Sequence, residues 1–217
     1  MGQDTTASAS YRIITQGGCG EYVEKKSRFI ATLRPVKSEE EAVRFIEEMK
    51  KKYWDARHNC SAFVLGSRGE ITRCSDDGEP SGTAGRPMLE VLTGEGLSDV
   101  AAVVTRYFGG VLLGTGGLVR AYTKALQEGI AASKTATLRF GARVLLETDY
   151  AGVGKIQYIL AKEGIQIEAS QYTDRVTFQV FILQEDKERV LKEITEATAA
   201  KCRIEVKESV YIPIADD

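Results

Sequence analysis

The sequence is poor in the residues that announce chemistry. It has one histidine, His58, in 217 residues, and only four cysteines, Cys19, Cys60, Cys74 and Cys202, never spaced as Cys-x-x-Cys. No zinc cluster follows from that spacing, and a chain with this much core material has no need of a disulfide framework, so four reduced and mostly buried thiols are expected. No run of 18 apolar residues is present, and no signal-peptide segment, which points to a cytoplasmic protein without a membrane partner. Met1-Gly2 with Thr6 fits a myristoylation pattern formally, but the match is short; residues 1–10 read as a loose polar tail. An excess of charge of one sign is missing too. With 29 Lys+Arg against 31 Asp+Glu, the net charge of −2 argues against strong, sequence-independent DNA binding.

What the chain does have is an ordinary globular composition, 43% hydrophobic and 28% charged, enough for one large domain or two small ones. Residues 1–137 carry 18 cationic against 17 acidic side chains, and residues 138–217 carry 11 against 14. A polyanion would therefore meet the first half, through a local patch.

The most unusual stretch follows an apolar run at Val100–Val104, which reads as a buried strand closed by Arg106 and Tyr107. Five glycines then fall in nine positions: Gly109, Gly110, Gly114, Gly116 and Gly117. Such density predicts backbone at positive φ or backbone approached closely by something else. From Gly116 to about Ser133 the pattern is helical, with Leu118, Val119, Tyr122, Leu126 and Ile130 inward and Thr115 as the expected N-cap. Helix-start amides lack intrahelical partners, so this end favours an anion, and Arg120, Lys124 and Arg106 are expected to converge on it. The established phosphate fingerprints fail here. Val119 stands where a third glycine belongs after Gly114 and Gly116, and no Gly-Lys-Ser/Thr follows. Glycines for a tight crossover and cations on a solvated face remain the plainer account.

A second unusual stretch, Ser75 to Pro87, holds Asp76, Asp77, Glu79 and Arg86 among three glycines and two prolines. A loop of this kind is more often functional than filler. Its carboxylates could serve Mg²⁺, or form Asx turns, which explain Asp-Asp-Gly equally well; turn chemistry is preferred and no metal or cofactor is assigned. Upstream, Tyr11–Ile14 and Glu21–Val36 read as strands, the second broken around Lys25-Lys26-Ser27. Ser38 with Glu41 forms a capping box for a helix whose stripe is Val43, Ile46, Met49 and Tyr53, with Lys50–Lys52 suiting its C-terminal dipole. In the strand from His58 to Gly66, His58 and Cys60 share a face. Parallel side chains do not make a nucleophile–base pair, so a hydrogen-bonded histidine at a sheet end is preferred and no catalytic residue is assigned. Met88–Thr93 reads as a short helix.

Beyond an expected linker at Thr135–Arg139 the pattern changes to strand Phe140–Thr148, helix Val153–Lys162, hairpin Ile165–Tyr172 and Arg175–Leu183, helix Glu185–Ala199 and strand Arg203–Ile212. This βαββαβ order is the ferredoxin-like arrangement. Its open face offers Arg143, Leu145, Glu147 and a single aromatic, Phe181, too little for the base-stacking platform of an RNA-recognition motif. The fold class is thus α+β, with domains at 11–136 and 139–213.

Val103–Tyr122 and Asp76–Pro87, with Ser27-Arg-Phe29 and the His58-x-Cys60-x-Ala62 strand, resemble the pattern of the YigZ/Impact family. The resemblance spans essentially the whole chain. It implies an N-terminal α/β layered domain similar to the second domain of small-subunit ribosomal protein five, and a C-terminal ferredoxin-like domain similar to one of elongation factor G. It also implies a link to translation regulation, without a reaction. Three functional readings follow. The favoured one is a non-enzymatic, monomeric protein that binds RNA, the ribosome or a translation-associated protein through the basic helix start. The second is an enzyme acting on a phosphorylated small molecule or nucleotide, its phosphate on Gly109–Gly117 and His58 as acid or base. The third is a protein–protein adaptor docking on the glycine-rich face.

Overall fold

The computed structural model describes residues 10–215; the myristoylation-like start and the polar tail expected before Ser10 lie outside the described residues. The chain forms two compact units, Ser10–Thr137 and Leu138–Pro213.

The first unit is built on β1 (Ser10–Gln16), β2 (Cys19–Glu24), β3 (Ser27–Pro35), α1 (Glu39–Lys52), β4 (His58–Leu65), β5 (Ile71–Ser75), α2 (Gly85–Gly94), β6 (Leu97–Ser98), β7 (Val100–Tyr107) and α3 (Thr115–Ala131). Five strands form an antiparallel sheet in the order β2-β3-β7-β4-β5. The sheet is covered on both faces, which is why β7 reads as a continuous apolar run rather than an alternation. Phe29, Ala31, Cys60, Ala62, Ala102 and Val104 pack with Met88 and Leu92 of α2 and Leu118, Tyr122 and Leu126 of α3. On the opposite face Phe63, Leu65, Ala101 and Val103 pack with Ala42, Phe45 and Met49 of α1.

Four local expectations are corrected. The buried stripe of α1 is Ala42, Phe45 and Met49, flanked by Ile46 and Tyr53, while Val43 is 49% exposed. The stripe is therefore rotated toward Phe45, the larger apolar side chain. The capping box of α1 is formed by Ser38 as expected, its Oγ accepting from the Glu41 amide at 3.3 Å, but the Glu41 carboxylate reaches the Lys37 amide at 2.7 Å. Helix α2 begins three residues before Met88, because Asp76 supplies acceptors for its first amides. Helix α3 begins at Thr115 with Gly114 in the cap position at φ 71°, so Thr115 lies inside the helix and caps nothing.

The second unit continues through β8 (Lys134–Thr148), α4 (Tyr150–Lys162), β9 (Ile167–Tyr172), β10 (Val176–Leu183), α5 (Lys187–Ala197) and β11 (Arg203–Ala215). Its strands lie in the order β9-β10-β8-β11, and the β8-β10 and β10-β9 pairs are antiparallel. This is the ferredoxin-like order, and the molecule is α+β. Val176, Phe178, Val180 and Ile182 alternate inward against Ile156, Ile159, Leu160, Val190 and Ile194. The expected linker at Thr135–Arg139 is strand instead: β8 runs unbroken across it, with Ala136 and Leu138 buried. On the other face Arg143 is held by Glu168 at 3.2 Å and Glu208 at 2.8 Å. All four cysteines are free thiols, but Cys19 and Cys74 are exposed, against the expectation of mostly buried thiols.

Candidate functional site

The glycine-rich connection from β7 to α3 follows from the backbone. Gly110 and Gly114 adopt φ of 85° and 71°, where a β-carbon is strained. Gly109 serves a close approach: a β-carbon there would sit 2.0 Å from the Lys26 carbonyl carbon, and its amide donates to Ser27 Oγ at 3.1 Å. Gly116 and Gly117 lie in the first turn of α3, with Arg120 Nη1 3.7 Å from where a Gly116 β-carbon would stand. The connection is thereby clamped onto the β2–β3 turn, whose residues Lys25 and Lys26 take φ of 45° and 68°.

That clamp creates a concave surface of about 420 Å³ beside the start of α3. Lys25, Arg120 and Lys124 line it, with Tyr22, Gly117 and Glu24. Lys124 pairs with Glu128 at 3.0 Å, an exposed contact of little energetic weight. Among the described residues no carboxylate pairs with Lys25 or Arg120. Glu24, the carboxylate on the lining, accepts from the Tyr22 hydroxyl at 2.8 Å. The sequence marks a break at Lys25-Lys26-Ser27 but gives Lys25 no role, because Lys-Lys is not the residue pair that a two-residue hairpin turn prefers.

The expected convergence of three cations is not what the fold makes. Arg106 is 6% exposed and donates through Nη1 to Glu79 Oε1 at 2.6 Å. The Tyr122 hydroxyl donates to the same oxygen at 2.8 Å, and Tyr122 Oη lies 3.3 Å from Cys60 Sγ. The rings of Phe29 and Phe108 flank the guanidinium at 5.5 and 5.6 Å. The reason is the pleat: at the end of β7, Arg106 points to the α2–α3 side, into the interior, where a charge needs its own counter-ion. Its Nε is buried without a hydrogen-bond partner.

The two loop aspartates are held by backbone amides. Asp76 accepts from the Gly82 amide at 2.8 Å, from Ala84 at 3.0 Å and from Gly85 at 2.8 Å. Burial alone would raise its pKa, but the three amides outweigh that and hold it below the ordinary aspartate value. Asp77, at φ 42°, accepts from the Asn59 amide at 2.7 Å and pairs with Lys50 at 3.2 Å. With Glu79 on Arg106, these three side chains turn to three different partners. No group of three metal-ligating side chains converges among the described residues.

His58 is partly buried at the end of β4, and its Nδ1 lies 2.9 Å from the Asp77 carbonyl. A carbonyl only accepts, so Nδ1 carries the proton. The neighbouring Cys60 thiol donates to the Asp76 carbonyl at 3.0 Å, and desolvation pushes its pKa far up. It is an inert core thiol. Tyr107 donates to Asp55 at 2.8 Å, an interaction that raises its pKa, and Arg86 forms an exposed pair with Glu90 at 3.0 Å. Arg106, His58, Asp76, Asp77 and Glu79 thus form one buried or half-buried network, while Arg120 and Lys124 belong with Lys25 on the surface. No helix of the described residues is long and apolar enough to cross a membrane.

Comparison with known proteins gives the family directly. Residues 25–130 match the model of the Impact N-terminal domain, and residues 146–201 match that of a domain of unknown function, DUF1949. The IMPACT family member YvyE of Bacillus subtilis is 41% identical over 203 residues, covering 94% of each chain. The IMPACT family member YigZ of Escherichia coli is 39% identical over 158 residues, covering 72% of this chain and 78% of the relative. A solved crystal structure described as that of a hypothetical protein superposes with a TM-score of 0.58 at 32% identity, covering 93% of this chain and 98% of that one. With two domain models matched in succession and a relative this similar across nearly its whole length, the chain belongs to the IMPACT family.

Proposed function

We infer that the protein is a non-enzymatic, translation-linked binder of RNA, and that its first contact is with phosphates. The observation that supports this most is the cationic hollow at the start of α3. Lys25 and Arg120 stand there without counter-ions among the described residues, and helix-start amides lie beside them. A helix N-terminus and two uncompensated cations favour an anion for the same electrostatic reason. Cys60 is a buried thiol, and Asp76, Asp77 and Glu79 are engaged by protein groups away from the hollow, so the residues that line it offer charge rather than a reactive thiol. The family resemblance carries the link to translation.

The test is fluorescence anisotropy of a labelled RNA at low salt, with Lys25→Ala/Arg120→Ala as the comparison. The wild type should bind and the double variant should bind at least about tenfold more weakly, as loss of two phosphate contacts implies. Equal binding by the two proteins, or none by either, would remove the reading.

A second reading, a phosphorylated small molecule or nucleotide in the same hollow, is favoured by its volume, which falls within the range of small-ligand sites. Thermal shift with nucleotides separates the two, because a specific small ligand raises stability by mass action. His58, the expected acid or base for that reading, does not line the hollow.

A further inference from the structure

The turn between α1 and β4 reads Lys50-Lys51-Lys52-Tyr53-Trp54-Asp55-Ala56-Arg57. Lysines at a helix C-terminus suit its dipole, and that accounts for the cations but not for the tryptophan. Trp54 is the only tryptophan of the chain and is 82% exposed. An indole this exposed leaves most of its apolar area in water, a cost that a buried position would remove. The turn that carries it is pinned: Asp55 accepts from the Tyr107 hydroxyl at 2.8 Å. The Ala56 amide also donates to the Tyr53 carbonyl at 3.0 Å, closing the turn beneath the ring. Around it, Lys51, Lys52 and Arg57 have no carboxylate partner among the described residues, while the Asp55 carboxylate is engaged by Tyr107. Lys52 lies 5.0 Å over the Tyr53 ring.

From Asp55 a chain of contacts leads to the cationic hollow. Tyr107, bonded to Asp55, is followed by Phe108, which is 52% exposed. Gly109 then rests on the backbone of Lys26, and Lys25 lines the hollow. The contacts thus connect the turn that bears an exposed indole, through an exposed phenyl ring, to the turn that bears Lys25. A positively charged track with aromatic platforms is what single-stranded nucleic acid requires, since every base has a face to stack and every link a charge. Duplex would leave the platforms idle, because its bases are already stacked, and an acidic peptide would use the cations but not the ring faces.

We propose that Trp54 stacks an unpaired base of single-stranded RNA whose flanking phosphates meet Lys51, Lys52 and Arg57. The proposal rests on the RNA-binding reading above and names the form of RNA that this end of the sheet accepts.

Because Trp54 is the only indole, its emission reports on the site directly. The probe is a single-stranded oligoadenylate of about 12 nucleotides, within the ~4–16 that such tracks accommodate. Titration should quench the emission, and Trp54→Ala should weaken binding of the labelled oligomer by about 5- to 140-fold. Trp54→Phe should recover most of the loss, and an abasic oligomer should bind both proteins equally. Binding without quenching, with Trp54→Ala at wild-type affinity, overturns the stacking site and leaves the phosphate hollow standing. Equal affinity for a duplex of the same length also overturns it. Failure of any RNA to bind at low salt removes both readings.

Discussion

Arg106 and Glu79 show how a single residue can be legible in type and illegible in role. In sequence Arg106 stands beside five glycines and looks like a ligand-binding cation; in the fold the pleat of β7 turns it inward onto Glu79. Both side chains are almost fully buried, so the pair matters mainly through what its breakage leaves behind. Glu79→Ala should destabilise the protein by about 3–5 kcal/mol in urea denaturation, because it strands a buried guanidinium whose Nε already lacks a partner. Replacing both residues, as Arg106→Met/Glu79→Leu, should recover most of that loss. If the double replacement is as unstable as the single one, the cost lies in packing rather than in the orphaned charge. Asp76 carries the same lesson: Asp-Asp-Gly is visible as turn chemistry, but that its carboxylate reaches the amides of Ala84 and Gly85, eight and nine positions on, is tertiary information. The solitary His58 was readable as a hydrogen-bonded sheet-end residue, since its face and the strand around it follow from period two.

At the scale of elements, the β2–β3 hairpin is where stability has been yielded. A two-residue turn of this geometry asks for Asn-Gly, yet Lys25 and Lys26 occupy it at φ of 45° and 68°. Non-glycine residues in this region cost about 1–2 kcal/mol each, and such strain persists where function holds it in place. Lys25→Asn/Lys26→Gly should therefore raise stability by about 1–2 kcal/mol in urea denaturation while weakening RNA binding, because Lys25 lines the hollow. A variant that is stabilised and binds as before would show that the lysines serve solubility alone. The elements themselves were largely readable. The Ser38 cap of α1, the burial of β7 and the βαββαβ order of the second unit all follow from short-range patterns. Two helix starts were not readable: that of α2 depends on the distant Asp76, and at α3 the left-handed backbone of Gly114 takes the cap position one residue before Thr115. The supposed linker at Thr135–Arg139 was misread because its small and β-branched residues suit a strand edge as well as a loop; only the pairing of β8 decides.

For the molecule as a whole, a net charge of −2 and an affinity for a polyanion are compatible only if binding is local. A diffusely basic protein binds a polyanion with a steep dependence on salt; with a net charge of −2 the long-range field is weakly repulsive, and the proposed binding would rest on contacts at the hollow and the Trp54 turn. Each phosphate neutralised on a single strand adds about 0.7 to the slope of log affinity against log salt. Lys25, Arg120 and Lys124 then predict a slope of roughly 2, rising toward 4 if Lys51, Lys52 and Arg57 join them. Lys25→Ala/Arg120→Ala should lower the measured slope by roughly 1.4, whereas Trp54→Ala should weaken binding with no change of slope, because stacking releases no ions. The second unit gives the contrast within the same chain: its open sheet face carries Arg143 already matched by Glu168 and Glu208, so Arg143→Ala should leave both slope and affinity unchanged. A slope that falls with Arg143 but not with Arg120 would move the RNA contact to the ferredoxin-like unit and empty the hollow of its assigned role.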